Sequence, residues 1–395
     1  MFDNESMSRF LRSLSIAVLL LLLAWSAGAL AAVNPVHGYS VDLPVGWIEA
    51  DNSNPDHIGF LSPNADAMVQ IIALDPAPGG SDAAGSGSEI AHHVLDQLGA
   101  EGEPEPFSYQ DRPAAISELA FTTGGIEVQG YLVTIAHRRA GFAILAFAAI
   151  DSYETAHDYL LSAIDGFSLD EESRLSPGPV SQYFYPFPAP YARDASIRFA
   201  GSRLPFAVDA NEIDATEVLV DREARVLAPY GAVDRDTAND AWRRYFRLIY
   251  RDNYMRLEPL AREIRARLEA DRVPRVDYPE VLLSWLQGFD YVRTGGLADF
   301  QPPVSCLATA SGDCDSLAMT YAILLHHLGF DAILMVSDRY AHAIAAVDVQ
   351  GPGARFAFEG RDWLVAELTA DVPLGRIAAE MADPDGWLGV RLRLQ

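Results

Sequence analysis

The chain has 395 residues, half of them hydrophobic, so it exceeds one typical domain and leaves room for two hydrophobic cores. Its formal net charge of -26 at pH 7 excludes the basic footprint by which proteins bind nucleic-acid phosphates, and it argues equally against binding to anionic membrane surfaces. We interpret the acidic balance as a contribution to solubility.

The N-terminus has the pattern of a secretory signal peptide. Arg9 and Arg12 precede an apolar run at residues 14–25, and Ala29-Leu30-Ala31 follows as a small-x-small cleavage site. The run is too short to favour a membrane anchor, and both cysteines lie far downstream of the cleavage site. We therefore predict that residues 1–31 are removed and that the mature protein is exported, to the periplasm or beyond, without stable membrane insertion.

Residues 33–172 carry the pattern of a sheet interrupted by two helices. Hydrophobic alternation predicts strands at residues 67–74, 115–122, 127–136 and 141–149, and helical spacing predicts helices at 89–98 and 153–164. The glycine- and serine-rich residues 76–88 are predicted to form a loop.

The two ends of this region carry further motifs. It opens with Leu43-Pro44-Val45-Gly46-Trp47 and closes with Gly166-Phe167-Ser168-Leu169. Together with the strand and helix order, these motifs resemble the PsbP-like, Mog-type α/β sandwich. The resemblance implies an antiparallel sheet packed against helices, without catalytic residues. We expect an accessory domain that docks to an envelope protein partner.

Residues 173–194 are dense in proline and aromatic side chains, which predicts a linker that runs along the surface of a domain. A carbohydrate-stacking strip is the less favoured alternative. From Asp214 the pattern becomes helical, with Val218 assigned to an apolar face. We interpret a set of interleaved arginines as a solvated face paired with acids, and a substrate-carboxylate clamp is the alternative. These arginines are Arg243, Arg244, Arg247, Arg251, Arg256 and Arg262.

The segment Gly312-Asp313-Cys314-Asp315 has the features of a helix N-terminus. Apolar residues then recur at helical spacing, so we predict a helix that begins at Cys314, buries one face and ends at Gly329, a residue suited to the left-handed cap position. The free amides and the positive dipole end of a helix N-terminus favour a thiolate, which is the nucleophilic form of cysteine. Cys314 is therefore the predicted nucleophile.

Three short apolar segments follow, and each is predicted to form a strand. His342 lies at the mouth of the second, at residues 341–347, and Glu367 lies near the end of the third, at residues 363–369. If these two strands pair antiparallel, with residues 351–360 as a lateral excursion, Glu367 can orient the His342 imidazole. Cys314, His342 and Glu367 would then be nucleophile, base and orienter. Asp348, on the His342 strand, is the alternative orienter.

These motifs resemble those of the transglutaminase-like superfamily of papain-type cysteine enzymes. The matching segments are Gly312-Asp313-Cys314-Asp315, Ala341-His342-Ala343 and Glu367-Leu368-Thr369, where many members carry Asp and a subset carries Glu. Residues 283–291 resemble the helix before the nucleophile in bacterial members. By this resemblance the Gln287 amide and the Cys314 backbone amide would form an oxyanion hole.

The resemblance covers roughly residues 195–395 and implies a papain-like domain, in which the nucleophile helix packs on an antiparallel sheet. The whole chain is thus predicted to be α+β. Cys306 stands eight residues before Cys314, and a disulfide between the two would occupy the nucleophile. We favour a free Cys314, because only its surroundings match a nucleophile motif.

No metal or cofactor is predicted. The pairs His92-His93 and His326-His327 lack further ligands at suitable spacing, and no dinucleotide or zinc signature is present. The sequence predicts a cysteine enzyme that hydrolyses amide bonds of a peptide or protein substrate, with amine transfer to glutamine as the alternative. A non-catalytic envelope binding or scaffold protein with the same fold is the rival hypothesis, and thiol reactivity discriminates between them.

Overall fold

The computed structural model describes residues 32–74, 86–137, 141–293 and 295–393. The predicted signal peptide and most of the predicted loop at 76–88 lie outside these residues. Within the described ranges, none of the helices combines the length and apolar character needed to span a bilayer. The chain forms two compact units. Of the described residues, the first unit contains those up to Arg174 together with Gly178–Pro186, and the second contains Leu175–Pro177 and those from Phe187 onward.

The first unit is built on a seven-stranded antiparallel sheet of order β3-β4-β5-β9-β8-β7-β6, beside a small sheet of order β1-β2-β10. Its strands are β1 (Ala32–Val33), β2 (Ser40–Val41), β3 (Ile48–Asn54), β4 (His57–Leu61), β5 (Ala67–Leu74), β6 (Glu105–Tyr109), β7 (Arg112–Thr123), β8 (Ile126–Ile135), β9 (Gly141–Ala149) and β10 (Phe167–Ser168). Its helices are α1 (Gly87–Leu98), α2 (Tyr153–Asp165) and α3 (Pro179–Phe184).

Helices α1 and α2 pack against different faces of this sheet. Ile144 and Ala146 of β9 belong to the core that contains α2, whereas Leu145 and Phe147 belong to the core that contains α1. Because successive side chains of a strand point to opposite faces, this division means that both faces of β9 are covered. The predicted strands and helices of this region are all present. Within the predicted linker at 173–194, residues 179–184 form helix α3, which belongs to the first unit.

The second unit begins with a hairpin of β11 (Arg193–Phe199) and β12 (Ser202–Val208) and continues with helices around a five-stranded antiparallel sheet. The helices are α4 (Ala210–Leu227), α5 (Arg235–Ala270), α6 (Tyr278–Leu286), α7 (Pro303–Thr309) and α8 (Cys314–His327). The large sheet has the order β17-β18-β16-β15-β19, with β15 (Ala332–Ser337), β16 (His342–Val347), β17 (Arg355–Phe358), β18 (Arg361–Ala366) and β19 (Leu388–Val390). A small parallel pair joins β13 (Asp290–Tyr291) to β14 (Ser311–Gly312).

Helix α8 is the central helix of the second unit. It begins at Cys314, and Gly329 follows it with a φ of 80°, in the left-handed region, as predicted. The prediction that it buries one face is wrong, because every residue from Ser316 to His326 is buried. A helix that is apolar all round is a core helix, and here the other helices cover the sides that the sheet leaves open. The mixed α+β class is confirmed for the described chain.

The sequence interpretation of the α4 and α5 surfaces needs correction. Val218 is 65% exposed and does not belong to the core. The solvated face expected for the arginines is wrong for Arg244, Arg251 and Arg256, which are buried. Arg244 donates to Glu223 at 3.1 Å, and Arg256 donates to Glu212 at 2.6 Å. Both acids lie on α4, so packing α4 against α5 adds ion pairs between the helices to those within each helix, where Arg222 pairs with Glu223 and Asp252 with Arg256.

Candidate active site

Cys314 is held at the tip of α8 by a cap that the neighbouring residues supply. Asp313 is the N-cap residue, and its Oδ1 accepts hydrogen bonds from the Ser316 backbone N–H at 2.8 Å and from the Ser316 hydroxyl at 2.5 Å. A Cβ at Gly312 would lie 3.0 Å from the Ser316 Cβ and 3.1 Å from the Cys306 Sγ. A larger residue at this position would crowd both neighbours, so the glycine and the cap together help to position the partly exposed Cys314 thiol.

His342 and Glu367 are brought together by strand pairing. Strand β16 pairs antiparallel with β18, with Ala345 opposite Ala366. Strand β17 lies on the outer side of β18, so residues 351–360 do not separate the two strands. His342 begins β16 and Glu367 follows the end of β18, which places the two side chains side by side. Their Nε2 and Oε2 atoms are 2.8 Å apart.

The second carboxylate oxygen of Glu367 is also held. Oε1 accepts hydrogen bonds from the Thr369 backbone N–H at 2.8 Å and from the Thr369 hydroxyl at 2.7 Å. The side chains of His342 and Glu367 are 12% and 8% exposed. Burial alone would raise the pKa of Glu367, but the hydrogen bond and charge of His342, together with the Thr369 bonds, lower it.

His342 also lies next to Cys314. Because Nε2 faces Glu367, Nδ1 is the ring nitrogen that remains for the thiol. Burial disfavours the imidazolium, yet the hydrogen bonds and negative charges of Cys314 and Glu367 outweigh it and raise the pKa of His342 to about 10. This arrangement therefore favours an imidazolium at His342 next to the Cys314 thiol, and an imidazolium neighbour is a feature of activated cysteine nucleophiles.

Of the other two predicted site residues, Asp348 lies away from the site, whereas Gln287 lies beside the backbone of Glu367. Asp348 follows the far end of β16 from His342, is exposed, and accepts a hydrogen bond from Arg361 at 3.1 Å. Gln287 stands just after α6, and its Nε2 donates to the Glu367 and Val372 backbone carbonyls, each at 2.8 Å. Both hydrogens of the Gln287 amide are thereby engaged. In this arrangement Gln287 supports the backbone of Glu367 and has no hydrogen left for an oxyanion.

Three residues that sequence reasoning assigned no role lie beside the site. Tyr291 pairs with Gly312 through the backbone, which places it near Cys314, and the Trp387 ring lies 6.3 Å from the His342 ring, centroid to centroid. Asp315 is partly buried next to Cys314, and burial together with the charge of Asp313 raises its pKa to about 7, against the opposing effect of His342. Asp315 and Tyr291 stand within quoted motifs, whereas no local signal marks Trp387.

Both cysteines are free thiols. Cys306 is fully buried on α7, and burial raises its pKa to about 12. Among the described residues, no group of three or more histidine, cysteine or acidic side chains is arranged to hold a metal ion. His326 is buried and hydrogen-bonded to the Tyr250 hydroxyl at 2.8 Å, which is the arrangement of a core histidine.

Comparison with protein-family models found no match, and neither did comparison with curated proteins. Among solved structures, the N-terminal part has a distant match to PsbP (CyanoP) from the cyanobacterium Synechocystis sp. PCC 6803, at 16% identity and a TM-score of 0.30, over 38% of this chain and 97% of that one. LpqN of Mycobacterium tuberculosis, described as involved in cell envelope biogenesis, matches at 12% identity and a TM-score of 0.22, over 35% of this chain and 88% of that one.

A protein from Bacteroides thetaiotaomicron VPI-5482 matches at 11% identity and a TM-score of 0.27, over 82% of this chain and 88% of that one. At such identities and TM-scores these likenesses carry no argument about the chemistry of this chain. The transglutaminase-like resemblance of the second unit is not tested by them and depends on the motif residues alone.

Proposed function

We propose that the second unit is a cysteine-nucleophile enzyme that hydrolyses amide bonds of a peptide or protein substrate. The observation that carries the proposal is the position of His342, which lies next to Cys314 on one side and pairs with the buried carboxylate of Glu367 at 2.8 Å on the other. This is the nucleophile, base and orienter geometry of a catalytic triad. The transglutaminase-like motifs of the sequence favour the same chemistry.

The chemistry follows from these three groups. The Cys314 thiolate attacks the carbonyl carbon, a C–S bond forms, and the carbonyl π electrons move to the oxygen. As that oxyanion collapses, the C–N bond breaks and the His342 imidazolium donates its proton to the leaving amine. His342 then takes a proton from water, whose oxygen attacks the thioester carbonyl and releases the acid and the thiolate. Glu367 keeps the imidazole in the required orientation and stabilises its charged form.

We propose in addition that the protein acts outside the cytoplasm and that its first unit docks to an envelope partner. The support for export is the signal-peptide pattern of residues 1–31. Transfer of the acyl group to an amine uses the same acyl-enzyme as hydrolysis. The two reactions differ only in whether an amine or water attacks the thioester. Hydrolysis is preferred because water is the abundant acceptor outside the cell.

The test is alkylation of the native protein with iodoacetamide, read by intact mass and peptide mapping. At about pH 6 an ordinary thiol is almost fully protonated and reacts slowly, whereas a thiolate paired with an imidazolium reacts readily. We expect rapid modification of Cys314 alone. Cys306 serves as the internal control, since its burial and raised pKa keep it unreactive until the chain is unfolded.

Parallel samples with and without reductant reveal whether a disulfide with Cys306 occupies the thiol in solution. If Cys314 in the reduced protein reacts no faster than a small-molecule thiol at this pH, the proposed function is wrong. The non-catalytic scaffold hypothesis would then hold.

A further inference from the structure

The site needs a side-chain group that can stabilise the oxyanion, and the residue assigned to that role by sequence is engaged elsewhere. The Gln287 amide donates both of its hydrogens to the backbone carbonyls of Glu367 and Val372. Cys314 supplies one donor itself, because the first backbone N–H of a helix has no intrahelical acceptor. Oxyanion holes combine such a backbone N–H with a second donor, which therefore has to be sought nearby.

Tyr291 is placed next to Cys314 by backbone pairing and not by its own side chain. The Asp290 N–H donates to the Ala310 carbonyl at 3.0 Å, and the Val292 N–H donates to the Gly312 carbonyl at 3.1 Å. These bonds set Tyr291 opposite Gly312 in the β13·β14 pair, two residues before the nucleophile. From this pair the Tyr291 side chain lies close enough to Cys314 for the charge of the thiol to act on the phenol.

We infer that the Tyr291 hydroxyl is the side-chain donor to the tetrahedral oxyanion formed at Cys314. The inference rests on the proposed function. A hydroxyl near Sγ is close to the position of the oxyanion, because only the attacked carbon separates that oxygen from the sulfur. The residue is 53% exposed, so a substrate carbonyl can approach its hydroxyl from solvent and become its acceptor.

The protonation state of Tyr291 suits a donor. Burial of the hydroxyl, then the negative charges of Cys314 and Asp313, raise the pKa of Tyr291 above its ordinary value, against the opposing charge of Arg293. The phenol therefore keeps its proton to a higher pH than an ordinary tyrosine does. A neutral phenol next to a forming oxyanion donates a charge-assisted hydrogen bond, which is stronger than the bond it makes with a neutral acceptor.

The experiment compares two reactions of the same thiol in the full-length protein. p-Nitrophenyl acetate acylates the thiol through a tetrahedral oxyanion and releases p-nitrophenolate, so its burst phase measures acylation. Iodoacetamide alkylates the same thiol by displacement of iodide, without an oxyanion. An oxyanion donor acts in the first reaction and not in the second.

Tyr291→Phe should therefore slow acylation by about 100-fold, the usual cost of one oxyanion-hole donor, while alkylation stays within a few-fold of wild type. Tyr340→Phe is the matched control. Its hydroxyl is buried and makes no hydrogen bond within the described part of the chain, so its removal should leave both rates unchanged. Circular dichroism of both variants verifies the fold.

Two results with Tyr291→Phe would overturn the oxyanion role of Tyr291 and leave the proposed function standing. Acylation at the wild-type rate means that another group stabilises the oxyanion. Parallel losses of acylation and alkylation mean that Tyr291 tunes the thiol and does not contact the oxyanion. Failure of the proposed function gives a different result, because the wild-type protein would then show no burst that depends on Cys314. In that case the inference about Tyr291 would be wrong as well.

Discussion

Glu367→Gln removes the carboxylate charge next to His342 and keeps the shape of the side chain. In wild type Oε1 is held by the Thr369 N–H and hydroxyl, and Oε2 faces His342 at 2.8 Å. A glutamine carbonyl can keep both Thr369 bonds, and its NH₂ group then points at His342. Because that group is a donor, Nε2 must become the acceptor and the ring proton moves to Nδ1, which is the tautomer that cannot accept a proton from the thiol.

The magnitude follows from these contacts. An orienting acid replaced by its amide forces the wrong histidine tautomer and lowers kcat by up to about 10⁴-fold, which corresponds to about 5.5 kcal/mol of transition-state stabilisation. The unfolding free energy loses one charged hydrogen bond, worth about 1.5–3 kcal/mol, while both Thr369 bonds remain. We therefore expect activity to fall far more than stability does.

The pH dependence has a definite sign. In wild type the folded-state pKa of His342 is raised to about 10, above the ordinary value of about 6.5 in an unfolded chain. The stability that the imidazolium contributes is thus complete below about pH 6.5 and is lost as the pH rises towards 10. Glu367→Gln should reduce this loss, because the pKa of His342 falls when the neighbouring carboxylate charge is removed.

The assay is the pH profile of iodoacetamide alkylation at Cys314, with chemical unfolding at several pH values beside it. Glu367→Gln should slow alkylation below neutral pH, where the thiolate depends on its imidazolium partner. Asp348→Asn is the matched control, since Asp348 is exposed, pairs with Arg361 and lies at the other end of the strand. A wild-type profile for Glu367→Gln would refute the reasoning, and a shift in Asp348→Asn would transfer the orienting role to Asp348.

Three further predictions concern the nucleophile, its cap and the first unit. Cys314→Ala should abolish the p-nitrophenyl acetate burst and leave the unfolding midpoint nearly unchanged, because the side chain is at a helix tip; a burst at the wild-type rate would reject the nucleophile assignment. Asp313→Ala removes the N-cap side chain that accepts the Ser316 backbone N–H, so it should lower the unfolding free energy by about 1 kcal/mol in a denaturant titration. An unchanged midpoint would contradict the capping role. A chain that starts near Pro190 should still be labelled at Cys314, since every predicted site residue follows Tyr278; a folded truncated protein that is not labelled would mean that the first unit completes the site.

The start of α8 and the pairing of His342 with Glu367 were predictable because their signals are local. Asp313 is a strong N-cap residue, and a helix that begins there presents Cys314 in its first turn whatever surrounds it. Short apolar runs with turn residues between them likewise predict adjacent antiparallel strands. Once β16 and β18 pair, the start of one strand meets the end of the other, and His342 and Glu367 become neighbours without further information.

Other features depended on partners far along the chain. The Gln287 amide is engaged by two carbonyls 80 and 85 residues later, and nothing near Gln287 marks those acceptors. Tyr291 lies near Cys314 because β13 pairs with β14, a two-residue match too short to give a periodic signal. Arg244 is buried because an acid on a different helix neutralises it, so local polarity misassigned it to the surface.

The sequence by itself therefore determined the secondary structure around the candidate site and singled out Cys314, His342 and Glu367 as its members. Periodicity and capping act over a few residues and can be read along the chain. Only the tertiary structure decided that α8 is buried on all sides and that the phenol beside the thiol belongs to Tyr291. Burial and hydrogen-bond partners are set by the packing of distant segments, and no local pattern specifies which segments meet.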